Sequence, residues 1–172
     1  MSRAVISTIG RDRPGIVNEV SQAVLELNLN IEDSRMTVLG GEFAVLMSVT
    51  GGEVSLEMLE VKLQQLCEES GLAFLFRRTE ERSARHALPY LVRVVAMDHP
   101  GIVARIAGFF SERAINIRDL NTETERAAHT GTPIFNLAVT VEVPAGVKIS
   151  ELRSAFEDFC AEQDLDGSLD SG

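Results

Sequence analysis

The sequence is short of most of the residues that carry chemistry. Its 172 residues include only two cysteines, Cys67 and Cys160, and neither has a CxxC or CxxH neighbour. That excludes a disulfide scaffold and leaves a thiolate metal site unsupported. His86, His99 and His129 fall on three separate segments with no i, i+4 pair, so no histidine metal site is expected either. No run approaches the roughly 18 apolar residues of a membrane span, and the opening stretch MSRAVISTIGRDRPG lacks the apolar core of a secretory leader. A cytoplasmic chain with no membrane partner is the expectation. GxSxG, HExxH, GxGxxG and the P-loop are all missing, so the sequence announces no catalytic centre and no cofactor.

Positive charge is scarce as well. Lysine and arginine number 16 against 26 aspartates and glutamates, a net charge of -10 that repels phosphate backbones and anionic lipid. Direct nucleic-acid binding is therefore not expected. FRRTEERSAR, residues 76 to 85, interleaves Arg77, Arg78, Arg82 and Arg85 with Glu80 and Glu81 and reads as a solvated linker.

What is present is a globular composition, 45% hydrophobic and 24% charged, which supports a buried core. The chain also repeats itself. RDRPGIV at residues 11 to 17 returns as MDHPGIV at 97 to 103. The offset of 86 that carries Asp12 to Asp98 also carries Pro14 to Pro100, Gly15 to Gly101, Asn30 to Asn116, Ile31 to Ile117 and Asp33 to Asp119. Beyond a longer hairpin in the second copy, RAAHTGTP against GG, Phe43 answers Phe135. Leu56, Leu59, Leu63, Leu66 and Cys67 are then answered by Ile149, Leu152, Phe156, Phe159 and Cys160. These are two apolar stripes at helical spacing, so the cysteines read as equivalent buried thiols.

Each copy reads as strand, helix, strand, strand, helix, strand. In the first, AVISTI is β-branched, and Pro14 is a good opening residue for a helix with Ile16, Val17, Val20, Val24 and Leu27 on its apolar face. LNIEDSRMTVL and EFAVLMSVT flank the tight-turn pair Gly40-Gly41. A second helix spans roughly 54 to 70, stops at Gly71 and gives way to LAFLFR. The second copy repeats this with strands near 89 to 97, 115 to 125 and 133 to 143 and helices around 100 to 114 and 148 to 163. Its closing stretch DLDGSLDSG is acidic and glycine-containing, and is expected to give at best a short, fraying edge strand. The order is that of the split βαβ, ferredoxin-like unit, an α+β fold with an antiparallel sheet and helices on one face. The expected organisation is one domain over 1–79, a linker over 80–88 and a second domain over 89–172, with burial between the repeats.

The D-x-P-G-I turns and the N-I pairs of both copies resemble the ACT domain, a regulatory ferredoxin-like module, over nearly the whole chain. Two such modules with no catalytic domain resemble the glycine cleavage system transcriptional repressor family. That resemblance implies a non-enzymatic regulator responsive to glycine or a similar small amino acid. It also implies contact with a DNA-binding transcription activator protein, and a homo-oligomer is possible. The alternative is an amino-acid-binding regulatory module or subunit of a metabolic enzyme.

The candidate ligand residues are Arg11, Asp12, Arg13, Pro14, Gly15, Ile16, Asn30 and Ile31 in the first copy, and Asp98, His99, Pro100, Gly101, Ile102, Asn116 and Ile117 in the second. Glycine lets a ligand approach the backbone, and a helix start offers free N–H groups to a carboxylate. Arg11 or Arg13 can add a charge-assisted bond to that carboxylate, and the aspartates can receive an amino group. A purely structural reading stands beside this one. Asp12 and Asp98 can cap the following helix, Gly15 can permit close helix packing, and Asn30 and Asn116 can end the first helix in the left-handed region. The acidic helix surface of Glu53, Glu57, Glu60, Glu68 and Glu69 is either solvated or a dock for a basic partner.

Overall fold

A computed structural model describes residues 2–80, 87–126 and 130–171. Residues 81–86 of the expected linker, His86 included, and His129 of the longer hairpin lie outside the described residues. The chain divides into two compact units, each with one four-stranded sheet.

The first unit runs β1 (Ser2–Arg11), α1 (Ile16–Glu26), β2 (Asn30–Leu39), β3 (Glu42–Gly51), α2 (Glu53–Ser70) and β4 (Ala73–Thr79). All strand pairs are antiparallel in the order β2-β3-β1-β4. Period-2 alternation sends Ala4, Ile6, Thr8, Phe43, Val45, Met47 and Val49 to one buried face. Against it lie Ile16, Val20 and Val24 of α1 and Leu56, Leu59, Leu63 and Cys67 of α2. The three leucines of α2 are fully buried, worth about 1.5–3 kcal/mol each against exposure.

The second unit repeats the order as β5 (Ala87–Met97), α3 (Ile102–Ser111), β6 (Asn116–Arg126), β7 (Pro133–Pro144), α4 (Ile149–Glu162) and β8 (Asp166–Ser171), with sheet order β6-β7-β5-β8. Val92, Val94, Leu137, Val139 and Val141 meet Ile102, Ile106, Phe110, Leu152, Phe156 and Cys160. A bulge recurs at the same place in both sheets, between Ile31 and Asp33 and between Ile117 and Asp119.

The expected order of elements is present, with local corrections. Helix α1 begins at Ile16, not Pro14, because Gly15 precedes it in the left-handed region at φ 99°, and α3 likewise begins at Ile102 after Gly101 at φ 96°. Val17 points outward at 42% exposure, so the apolar face of α1 is narrower than its spacing implied. The left-handed residues that close the helical segments are Asn28, Ala114 and Asp164, not Asn30 or Asn116, each of which opens a strand. Gly40 and Gly41 both have positive φ, as a two-residue type I′ hairpin turn requires, and Gly71 ends α2 at φ 68°. β8 is a formed strand paired along β5 from Asp166 to Ser171, with Leu169 only 2% exposed. Its acids alternate outward while Leu169 enters the core, and that burial overrides poor strand propensity.

Cys67 and Cys160 are free and buried in equivalent stripes. Burial pushes both thiols up, Cys160 to about 11 with help from the charges of Asp166 and Glu157. Both are un-ionised at neutral pH.

Candidate functional site

The repeated turn is built the same way in both units. β1 delivers Arg11 beside Glu42 of β3, and the Asp12 N–H donates to the Gly41 carbonyl at 3.0 Å, tying the turn to the neighbouring hairpin. In the second unit the Asp98 N–H donates to the Pro133 carbonyl at 3.1 Å. The proline and glycine then reverse the chain. The Gly15 carbonyl accepts the Glu19 N–H at 2.9 Å, and the Gly101 carbonyl accepts the Arg105 N–H at 3.0 Å, which starts each helix.

Neither Asp12 nor Asp98 caps its helix. The cap position is occupied by glycine in both, with no side-chain cap bond. The first N–H groups of α1 and α3 therefore have no side-chain partner at the cap. Gly15 does not serve close packing either, because a Cβ there would meet nothing nearer than Glu19 Oε1 at 3.6 Å. What the position demands is its positive φ.

The side chains around the turn differ between units. Arg13 donates to both carboxylate oxygens of Glu19 at 2.6 Å and to Ser70 Oγ at 3.1 Å. The paired hydrogen bonds raise the Arg13 pKa and lower that of Glu19. Arg13 is thus engaged inside the protein, and Arg11 is the exposed guanidinium at this end of the sheet. In the second unit His99 stands where Arg13 does, Arg105 replaces Glu19 and Gln163 replaces Ser70. Arg105 Nη1 donates to Gln163 Oε1 at 2.7 Å, and its Nη2 donates to the Pro100 carbonyl at 3.3 Å. No carboxylate pairs with Arg105 among the described residues. Sequence reasoning missed Arg105, although the 86-residue offset that equates it with Glu19 was the signal.

Concavities open beside both turns, on different sides. In the first unit a cavity of about 580 Å³ is bounded by Asp12, Arg13, Gly15, Ser21 and Met36, among others. In the second, one of about 320 Å³ lies between Met97, His99, Arg105, Glu162 at the end of α4, and Gln163 and Asp164 just beyond it. Val17, Asn18 and Ser21, in the first turns of α1, and Met36, which β2 brings from further along the chain, were not named among the ligand residues.

Asn30 and Asn116 are not brought to their own turns. Asn30 lies opposite Thr50, eight residues along β3 from the Glu42 that neighbours Arg11, roughly 27 Å away at strand rise. Asn116 is placed alike and donates to Glu142 Oε2 at 2.9 Å. Ile31 and Ile117 are half-buried and pack on the two cores, as Ile16 and Ile102 do more completely. At the Asn30 end of the first unit a cavity of about 630 Å³ is bordered by the ion pairs Arg3–Glu32 at 2.7 Å and Arg78–Glu53 at 3.1 Å. The equivalent of Arg3 is Pro89 and that of Arg78 is Ser171, so the second unit cannot reproduce it.

Among the described residues no three His, Cys, Asp or Glu side chains converge as metal ligands. No described helix is long and apolar enough to cross a membrane.

Comparison with known proteins places these turns in a family. The ACT domain matches residues 2–77 and again 90–159. The chain is 31% identical over 167 residues to the glycine cleavage system transcriptional repressor of Escherichia coli (strain K12), covering 96% of this chain and 87% of that one. A solved structure assigned to a glycine cleavage system transcriptional repressor is 30% identical and covers 98% of this chain and 96% of its own, with a TM-score of 0.75. A crystal structure of an unknown protein from Galdieria sulphuraria, 28% identical, covers 99% of this chain and 98% of its own with a TM-score of 0.81.

Proposed function

The chain belongs to the ACT-domain family, with two such domains in tandem, and from that premise we propose that it is a non-enzymatic regulator. In this reading it binds a small amino acid at the Pro-Gly turns and controls transcription through contact with a DNA-binding activator. The name of the Escherichia coli relative supports the regulatory role. The observation that carries the ligand reading is the pair of glycine-capped helix starts, each with a concavity beside its turn, the first lined by Arg13, already paired with Glu19, and the second by Arg105.

The chemistry fits an amino acid in the following way. The N–H groups that open α1 attract a carboxylate, as does Arg11, and Asp12 receives the ammonium group. In the second unit Arg105 takes the carboxylate, with Asp98 and His99 nearby. Pro14, Ile16, Pro100 and Ile102 hold the turns in shape, and glycine itself enters as the ligand through the family resemblance. The acidic surface supports delivery to DNA by a protein partner, because a net charge of -10 opposes direct binding.

The test is thermal melting of the full chain against the twenty amino acids. A ligand at 100 times its dissociation constant adds about 2.7 kcal/mol, so glycine or serine at millimolar concentration is expected to raise Tm clearly. Asn18→Trp fills the first-unit cavity without touching the strained glycine and is expected to abolish any shift that arises there. If no amino acid moves the melting curve, the sensing half of the reading is lost.

A further inference from the structure

Helix α2 is apolar on two opposite sides, and the core uses only one of them. Leu56, Leu59, Leu63 and Cys67 belong to the core of the first unit and are fully buried. Val54, Met58 and Val61 recur at i, i+4, i+7 and are 69%, 55% and 70% exposed. At about 100° per residue their directions fall within about 60° of one another, on the side of the helix opposite the buried row. Three such side chains in one line form a stripe, not the scatter of single apolar residues that an ordinary surface carries.

The second unit shows that the fold does not need this stripe. In the register that sets Ile149 against Leu56, Glu151 of α4 answers Met58 and Ser154 answers Val61. Val147 answers Val54, but it is partly buried against the core. The outer side of α4 is thus polar, and the same module folds beneath it.

The borders of the stripe carry charge of one sign. Glu57, Glu60 and Glu68 lie along one flank and Glu69 along the other. Glu57 and Glu60 form no ion pair among the described residues. Glu68 and Glu69 accept hydrogen bonds from the neutral amides of Gln64 and Gln65, which leave their charges in place. Lys62 is the single cation on α2, and Glu26 of α1 pairs with it.

We propose that this side of α2 is a docking surface for a cationic amphipathic helix of a protein partner. Val54, Met58 and Val61 receive apolar side chains at helical spacing, and lysines or arginines beside those side chains meet the glutamate flanks. Met58, unbranched and flexible, fits its surface to the partner. Charge complementarity selects this occupant. An anionic lipid surface is repelled by the flanks, and a second copy of α2 sets glutamates against glutamates. The proposal deepens the partner half of the proposed function, and it is separate from the amino-acid half because none of these residues lines the cavity at either turn.

Fluorescence anisotropy tests it with a labelled Leu/Lys peptide of about 18 residues patterned as an amphipathic helix, against a Leu/Glu peptide of the same pattern. The full chain is expected to bind the Leu/Lys peptide roughly tenfold more tightly or better. Val54→Gln, Met58→Gln and Val61→Gln together keep the net charge and suit a helix, and they are expected to weaken that binding by roughly tenfold or more. Glu57→Gln with Glu60→Gln is expected to weaken it several-fold at low salt and to flatten its salt dependence. Glu151→Gln with Asp158→Asn takes the same charge from α4 and is expected to leave the affinity within about twofold. Binding that survives the triple change overturns this surface and leaves a basic partner to dock elsewhere on the chain. A loss as large in the α4 variant overturns it too, because net charge alone then explains the binding. No binding of the Leu/Lys peptide overturns both the surface and the cationic partner. Sedimentation velocity covers the remaining occupant: a wild type that associates where the triple variant does not assigns the stripe to a second copy, against the proposal.

Discussion

Beneath the helices of the first unit the packing groups are aliphatic, and the aromatic bulk comes from the sheet, where Phe74 and Phe76 of β4 lie with ring centroids 6.4 Å apart. In the second unit the helices bring the aromatics. Phe109 meets Phe110, Phe156 and Phe159 at 5.1, 5.3 and 5.0 Å, and β8 offers Gly167 where β4 has Phe74. Register makes the exchange explicit: Phe74 pairs with Thr8 of β1, and Gly167 pairs with the equivalent Val94 of β5. A Cβ on Gly167 would lie 2.5 Å from Cys160 Sγ and 3.1 Å from Phe156, so the glycine is the space that Phe156 requires. Volume is kept by the layer, not by the position, as close packing demands.

The comparison can be broken most severely at Phe156. Phe156→Ala removes a fully buried ring from the helix side, and a loss of about 3–5 kcal/mol is expected, confined to the second unit. Calorimetry of this variant should separate an early transition from one at the wild-type temperature, and uniform destabilisation would contradict two independent cores. Gly167→Ala is next. Overpacking against Cys160 and Phe156 is expected to cost about 1–3 kcal/mol, and a neutral result by urea denaturation would mean that β8 shifts to make room. The smallest effect sharpens the comparison in the other direction. Thr8 is fully buried and its Oγ1 has no hydrogen-bond partner, whereas Val94 fills the same place without a polar atom. Thr8→Val is expected to stabilise the first unit by about 1 kcal/mol in the same measurement.

The repeat, the element order and the Gly40-Gly41 turn were legible because each rests on local chemistry that recurs in register. The helix starts were misplaced by two residues because Pro14 suits a first turn equally well, and only the positive φ of Gly15 shows that the reversal comes first. In LNLN the left-handed position fell to Asn28 and not Asn30, a choice set by where Leu29 had to enter the core. β8 was underrated because its strand character comes from one buried leucine and a waiting edge of β5. At the candidate site the turn itself could be read, but the engagement of Arg13 could not. Its partners Glu19 and Ser70 stand 6 and 57 residues away and meet only when α1 and α2 pack.

The exchange of bulk between β4 and β8 also bears on how the chain avoids folding wrongly. In each unit the central strand is made first and receives its last neighbour after a whole unit of chain, as with Arg3 opposite Thr79. During that wait two like sheets on one polypeptide offer similar vacant edges, the circumstance in which repeats exchange strands. A β8 captured by β1 would leave the room of Phe74 empty, and a β4 captured by β5 would drive Phe74 into Phe156. Each wrong pairing carries a void or a collision, so the divergence of the two cores works as an address label that directs each late strand to its own sheet.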